Sequence, residues 1–132
     1  MTKKLETRLE IISWDENPYR ELPDGRKFTR AEVQLKGTGG ELASGAFEAL
    51  MYYRPDGTGT YVTLMSVSGT LDGRTGEFVL EGEGTYDGTT AEIRYRVVEG
   101  TGELAGLTGQ GTSRSTHADY PHMPLTVEYD LG

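Results

Sequence analysis

Four Asp-Gly pairs divide the chain, and they constrain its fold more than any other feature of the sequence. The pairs are Asp24-Gly25, Asp56-Gly57, Asp72-Gly73 and Asp87-Gly88. Glycine after aspartate supplies the positive φ angles of tight hairpin turns, so each pair predicts a reversal of the chain. No window between the pairs sustains a helical period. The pattern therefore predicts an all-β protein with little or no helix.

Eight segments between these turns have the length and composition of strands. They are Leu5–Trp14, Phe28–Gly37, Leu42–Arg54, Thr58–Gly69, Gly76–Tyr86, Thr89–Val98, Gly109–Thr116 and Leu125–Leu131. Several alternate apolar and polar residues, which is typical of half-buried antiparallel strands. The irregular stretches Asp15–Lys27 and His117–Pro124 are predicted loops. Short strands at regular spacing favour a sandwich or a barrel, and 132 residues predict one domain spanning residues 1–132.

Two middle segments, Leu42–Arg54 and Thr58–Gly69, carry apolar residues on both faces. Strands of this kind need cover on both sides. In a barrel, the outer cover is a neighbouring subunit or a segment that packs onto the sheet. We therefore expect a homo-oligomer formed through these strands, and the alternative is a sandwich strand with one tolerant surface.

The composition excludes several classes of function. The chain has no cysteine, so it has no disulfides, thiol nucleophiles or cysteine zinc sites. Its net charge of −8 argues against nucleic acid and anionic membranes as partners. No apolar run reaches the roughly 20 residues of a membrane helix, and the N-terminus lacks a signal-peptide core. We expect a cytoplasmic protein.

The sequence offers little support for a metal or a cofactor, and we expect neither. Paired glycines such as Gly82 and Gly84 are not followed by the helix that a phosphate loop requires. The two histidines, His117 and His122, have only Asp119 near them and no recognisable ligand spacing. Nucleophilic catalysis is equally unsupported, because no Gly-x-Ser-x-Gly elbow occurs.

Acid–base catalysis is the remaining chemical possibility. Glu48 lies in the most apolar stretch of the chain, where burial would raise the pKa of a carboxyl group into a useful range. The alternative is an outward Glu48 paired with an arginine or lysine on the next strand. Tyr61 and His117 are further candidates for proton transfer, and the alternative for His117 is an ordinary loop side chain.

Aromatic residues supply the other half of a candidate site. Tyr53, Tyr61 and Tyr95 combine apolar ring faces with a hydroxyl group, which suits a pocket that orients a ligand through few hydrogen bonds. Phe47 lies in the same apolar segment as Tyr53. Small residues on neighbouring strands favour a cavity over a filled interior, since an eight-stranded barrel has room for one small ligand.

The chain also resembles a family of uncharacterised bacterial domains with an allene-oxide-cyclase-like (calycin-like) β-barrel. The similarity lies in ordered motifs along nearly the whole chain, among them Ser13-Trp14-Asp15-Glu16, Leu50-Met51-Tyr52-Tyr53, Gly69-Thr70-Leu71-Asp72-Gly73 and Gly109-Gln110-Gly111. The resemblance implies an antiparallel barrel of about eight strands. At two positions where family members carry glutamate and histidine, this chain has Met65 and Gly82. Both would make a pocket more apolar and roomier.

Two functions remain open. The first is a cofactor-independent cyclase or isomerase that holds a small, largely apolar substrate in the barrel, polyketide-like or oxylipin-like by analogy with the fold's relatives. Orientation of a flexible substrate can itself lower a barrier. The second is a barrel that binds such a molecule without catalysis. A barrel with a filled interior, which serves assembly only, is a third reading.

Overall fold

The computed structural model describes residues 2–132, in which eight strands and no helix occur. The strands are Lys3–Glu21 (β1), Lys27–Gly37 (β2), Leu42–Tyr53 (β3), Gly59–Leu71 (β4), Arg74–Tyr86 (β5), Thr90–Gly102 (β6), Thr108–Thr116 (β7) and His122–Asp130 (β8). Each strand pairs antiparallel with its neighbours in the chain, and β8 pairs with β1, so that the sheet closes into a barrel. This confirms the predicted fold. The described residues include no helix that could cross a membrane.

All four Asp-Gly pairs form the predicted turns. Gly25, Gly57, Gly73 and Gly88 have φ angles of 92°, 87°, 80° and 101°. These values lie in the left-handed region that glycine adopts without steric cost. The pairs join β1 to β2, β3 to β4, β4 to β5 and β5 to β6.

Alternation along each strand fills the interior of the barrel. On β2 the buried side chains are Thr29, Ala31, Val33 and Leu35, and the residues between them are exposed. Large apolar side chains close one end of the barrel, namely Leu42, Leu71, Phe78, Leu104 and Leu107. The opposite end, where the turns after β1, β3, β5 and β7 lie, is open.

Strand β1 is longer than the sequence predicts. The predicted loop Asp15–Lys27 is wrong for residues 15–21, which continue β1 and pair with β2. A register shift between Ile11 and Ser13 interrupts the alternation of apolar residues that marks the strand. The shift also exchanges the two faces, so that Trp14 and Glu16 lie opposite the inward-facing Val33 and Ala31.

Candidate functional site

The open end of the barrel contains a cavity of about 530 Å³. That volume is within the range of small-molecule sites. Most of its lining is aromatic or aliphatic, with hydroxyl groups from β7. None of the described residues that line it is an Asp, Glu, Lys or Arg. The lining side chains include Trp14, Phe47, Tyr53, Tyr61, Tyr86, Ala91, Tyr95 and His117.

One wall of the cavity is formed by two tyrosines, whose rings lie against two glycines of the neighbouring strand β5. Gly84 lies opposite Tyr61 on β4, and Gly82 lies opposite Tyr95 on β6. A Cβ atom on Gly82 would lie 2.7 Å from Cδ1 of Tyr95, and one on Gly84 would lie 2.8 Å from Cζ of Tyr61. Each ring therefore lies directly against a glycine, an arrangement known to stabilise glycine-containing strands.

The hydroxyl groups of Tyr61 and Tyr95 have no hydrogen-bond partner within residues 2–132. Tyr95 is only 5% exposed. No buried polar side-chain atom of the described residues is both sealed off and unpaired, so both hydroxyls reach the cavity. Burial raises the pKa of Tyr61 to about 12. It also raises the pKa of Tyr95, to which the neighbouring Tyr61 adds a smaller effect, so both groups remain protonated donors at neutral pH.

A carboxylate lies behind the cavity wall near the open end. Glu16 Oε2 accepts hydrogen bonds from Thr29 Oγ1 at 2.8 Å and from Tyr53 Oη at 2.9 Å. Its Oε1 accepts one from Trp14 Nε1 at 3.0 Å. Burial first, and then the bond to Glu16, raises the pKa of Tyr53. The Tyr53 hydroxyl is thus occupied, in contrast to those of Tyr61 and Tyr95.

His117 lies at the rim of the cavity. Its Nε2 atom is 2.9 Å from the hydroxyl oxygen of Tyr86, and either atom can donate in this contact. The two rings meet edge to face, with centroids 6.1 Å apart. His117 is therefore held against the rim by Tyr86, and it is one of two histidines in the lining, the other being His122.

Five of the residues that the sequence predicts for the site line the cavity together: Phe47, Tyr53, Tyr61, Tyr95 and His117. The other predicted residues lie elsewhere. Met65 is fully buried in the core and does not line the cavity. Gly82 also fails to enlarge it, because the ring of Tyr95 fills the space beside this glycine.

Glu48 is the main correction to the predicted site. The structure places its side chain on the outer face of β3, where its Oε2 is 3.1 Å from Nη2 of Arg30. The side chain is 60% exposed. Of the two alternatives for Glu48, the structure has the outward carboxylate paired with an arginine of the adjacent strand. It therefore does not contact the cavity.

Sequence reasoning missed Glu16 and Tyr86. Glu16 lies in a stretch predicted to be a loop, and its inward direction depends on the register shift after Ile11. The adjacent apolar pair Ile11-Ile12 is the one sequence signal of that shift. Tyr86 ends a predicted strand, but its partner His117 is 31 residues away in the chain. No local pattern connects the two.

The described residues contain no group of three or more histidine, aspartate or glutamate side chains that could hold a metal ion. Asp119, the acidic neighbour of the two histidines, has a structural contact instead. Its carboxylate accepts a hydrogen bond from the backbone N–H of Thr116 at 2.8 Å and another from the Thr116 hydroxyl. It therefore shapes the turn that carries His117 to the rim.

The raised pKa of Tyr61 predicts a dependence of stability on alkaline pH. Its value of about 12 exceeds the ordinary 10, so the fold favours the neutral phenol. The corresponding stabilisation is complete below pH 10 and is lost as the pH rises towards 12. Between those pH values, the free energy of unfolding should fall more steeply for the wild type than for Tyr61→Phe. Chemical denaturation along a pH series measures both, and parallel curves would contradict the prediction.

A family model described as "Protein of unknown function (DUF3224)" matches residues 6–129 of the chain. No curated protein matches it. Among solved structures, the chain is similar to a protein of unknown function from the same family in Shewanella oneidensis MR-1, with 24% identity and a TM-score of 0.76. The similarity covers 100% of this chain and 99% of that one. At this identity the likeness shows the fold.

Proposed function

The chain belongs to the DUF3224 family of proteins of unknown function, and we propose that it binds a small, uncharged and largely apolar molecule in the open end of its barrel. The observation that carries this proposal is the aromatic cavity of about 530 Å³. The other end of the barrel is filled by leucines and Phe78, so the cavity is a pocket with one entrance. Pockets that bind apolar ligands combine such linings with a few polar groups.

The charge of the ligand follows from the lining. Moving a charged group from water into a site that offers it no partner costs several kcal/mol of free energy. The described lining residues include no arginine or lysine to receive an anion and no aspartate or glutamate to receive a cation. The carboxylate of Glu16, which is bonded to the lining residues Trp14 and Tyr53, already accepts three hydrogen bonds from protein groups. An uncharged ligand is therefore favoured.

Two fluorescent probes that differ by one charged group test this proposal. N-phenyl-1-naphthylamine is uncharged, and 8-anilinonaphthalene-1-sulfonate carries a sulfonate on the same ring system. We expect the uncharged probe to bind one site per chain, seen as increased fluorescence, and the sulfonate to bind at least tenfold more weakly. Equal affinity for both, or no binding of the uncharged probe, would contradict the proposal.

A blocking variant locates the binding in the cavity. Ala91 is a small residue on β6 that lines the cavity, so Ala91→Trp should fill the entrance and abolish binding of N-phenyl-1-naphthylamine. Ala105, exposed in the turn at the closed end, gives the matched control Ala105→Trp. The control should bind the probe like the wild type. Loss of binding in both variants would indicate a general effect of the added tryptophan.

Cyclisation or isomerisation of the bound molecule is a second candidate. It is favoured by the contact of His117 with Tyr86, which provides a group able to move protons at the cavity edge. Such an enzyme needs few catalytic groups, since a cavity that holds a reactive conformation already lowers the barrier. A measurement of turnover separates the two candidates. An isomerase converts an unsaturated substrate faster than the uncatalysed reaction in buffer, whereas a binding protein leaves the substrate unchanged.

We also propose that a second copy of the chain covers the outer face of β3 and β4. Three large apolar side chains are exposed there: Leu50, Val62 and Leu64, at 49%, 55% and 58%. Ion pairs flank them on both sides, Arg30 with Glu48 and Arg96 with Glu81, each at 3.1 Å. Both signs of charge therefore occur on each edge of the patch. A two-fold rotation can place each charge opposite its complement.

A further inference from the structure

Tyr61 and Tyr95 are the polar features of the cavity that the rest of the protein leaves unused. Their rings lie against neighbouring inward positions of one strand, Gly84 and Gly82 of β5. Because both rings are fixed by close contact with backbone, the positions of the two hydroxyl groups are fixed as well. The two hydroxyl groups can therefore donate hydrogen bonds into the cavity from the same wall.

The protein leaves both of these hydroxyls available to a ligand. Tyr95 is more than nine-tenths buried, yet nothing in residues 2–132 accepts a hydrogen bond from it. Because the hydroxyl oxygen is not sealed off, it can donate to a molecule that enters the cavity. Most other tyrosine hydroxyls that face inward are satisfied, as those of Tyr53 and Tyr129 are by Glu16 and Asp72. Tyr61 on β4 and Tyr95 on β6 are the exceptions.

The chemistry of the two donors defines the ligand group that fits them. A phenol that remains neutral can donate to an oxygen without requiring a negative charge on it. A carbonyl oxygen has two lone pairs and no hydrogen of its own, so it needs only donors from the site. A carboxylate or phosphate would also accept from phenols, but the described lining has no arginine or lysine to compensate its charge.

We propose that Tyr61 and Tyr95 together bind the carbonyl group of an uncharged ligand whose apolar body fills the aromatic cavity. The ligand class is therefore an aldehyde, ketone or ester with an aromatic or other largely apolar skeleton. The inference rests on the proposed binding function. Beyond that function, the polar group of the ligand is identified as a carbonyl, and the residues that recognise it are the two tyrosines.

Two naphthalene probes of the same shape test this inference. 2-Acetylnaphthalene carries a carbonyl group, and 2-isopropenylnaphthalene has a CH₂ group in place of the oxygen. The wild type should bind the ketone about tenfold more tightly than the alkene. Tyr61→Phe and Tyr95→Phe should each reduce this preference about threefold, because each keeps the ring and removes one hydrogen bond. The stretching frequency of the bound carbonyl should rise in each variant.

Tyr129→Phe is the matched control. It removes the hydroxyl of a tyrosine at the closed end, where Tyr129 donates to Asp72 at 3.2 Å. It should leave the affinity for both probes unchanged. Equal binding of ketone and alkene by the wild type, or an unchanged preference in either cavity variant, would overturn the inference. Binding of both probes with no preference would still support the apolar cavity, whereas failure of both to bind would overturn the proposed function itself.

Discussion

Replacing Gly84 by alanine is expected to lower the free energy of unfolding by about 2–3 kcal/mol, the range of overpacked cores. A Cβ atom at this position meets the backbone carbonyl oxygen of Glu92 and lies 2.8 Å from Cζ of Tyr61. Neither neighbour can yield easily, because Glu92 belongs to the paired strand β6 and the Tyr61 ring is packed in the cavity wall. Urea denaturation of both proteins measures the difference.

Gly45→Ala is the control for this substitution. Gly45 also lies within a strand, but its added Cβ atom would be no closer than 3.1 Å to any neighbour, with the next contacts at 3.7 and 3.8 Å. The change should therefore alter the free energy of unfolding by less than about 1 kcal/mol. An equal loss in Gly45→Ala and Gly84→Ala would show that contact with Tyr61 and Glu92 is not the cause.

Gly82→Ala examines the other half of the wall through a double-mutant cycle. Its added Cβ atom would lie 2.7 Å from Tyr95 Cδ1, so the ring is the first obstacle. Tyr95→Leu removes that obstacle, and the cost of Gly82→Ala should shrink by about 1 kcal/mol in this background. Additive effects of Gly82→Ala and Tyr95→Leu would contradict the proposed contact between glycine and ring.

The fold was predictable from the sequence because its turns are encoded locally. An Asp-Gly pair specifies a hairpin without reference to the rest of the chain, and four such pairs placed four of the seven turns. Alternation then marked the strands, as on β2, where every second residue is buried. With the ends of the strands set, antiparallel pairing of neighbours is the simplest topology.

The inward-facing side of β1 was not predictable in the same way. The register shift after Ile11 reverses the inward face as far as a second shift after Pro18, so that Trp14 and Glu16 point towards the interior. Glu48 presents the opposite case. It follows an inward phenylalanine, Phe47, and simple alternation already places it on the outer face.

The role of Gly82 depends on a neighbour that the sequence does not identify. A glycine on an inward face can enlarge a cavity, or it can make room for a large side chain on the adjacent strand. The pairing of Gly82 with Tyr95 decides between these outcomes, and it follows from the register between β5 and β6. That register includes a shift between Val79 and Leu80, which moves every later pairing by one residue.

Leu64 occupies the centre of the apolar patch on the outer face. It lies opposite Glu48 on β3 and opposite Glu81 on β5, and it is 58% exposed. A lysine at this position would have a carboxylate on each side within its own chain. The substitution Leu64→Lys should therefore preserve the fold of one copy. It would place a charge in the middle of any interface formed by the patch, where charged residues are disfavoured.

We expect the wild type to form a dimer at micromolar concentration and Leu64→Lys to weaken dimerisation about 100-fold, the effect of losing a central interface residue. Light scattering over a concentration series measures the dimer, and thermal unfolding checks the fold of each variant. Val98→Lys is the matched control, since Val98 is a 44% exposed apolar residue of β6 outside the patch, and it should dimerise like the wild type. A wild type that remains a monomer would refute pairing through this face, because Leu50, Val62 and Leu64 would then be solvated in the native protein.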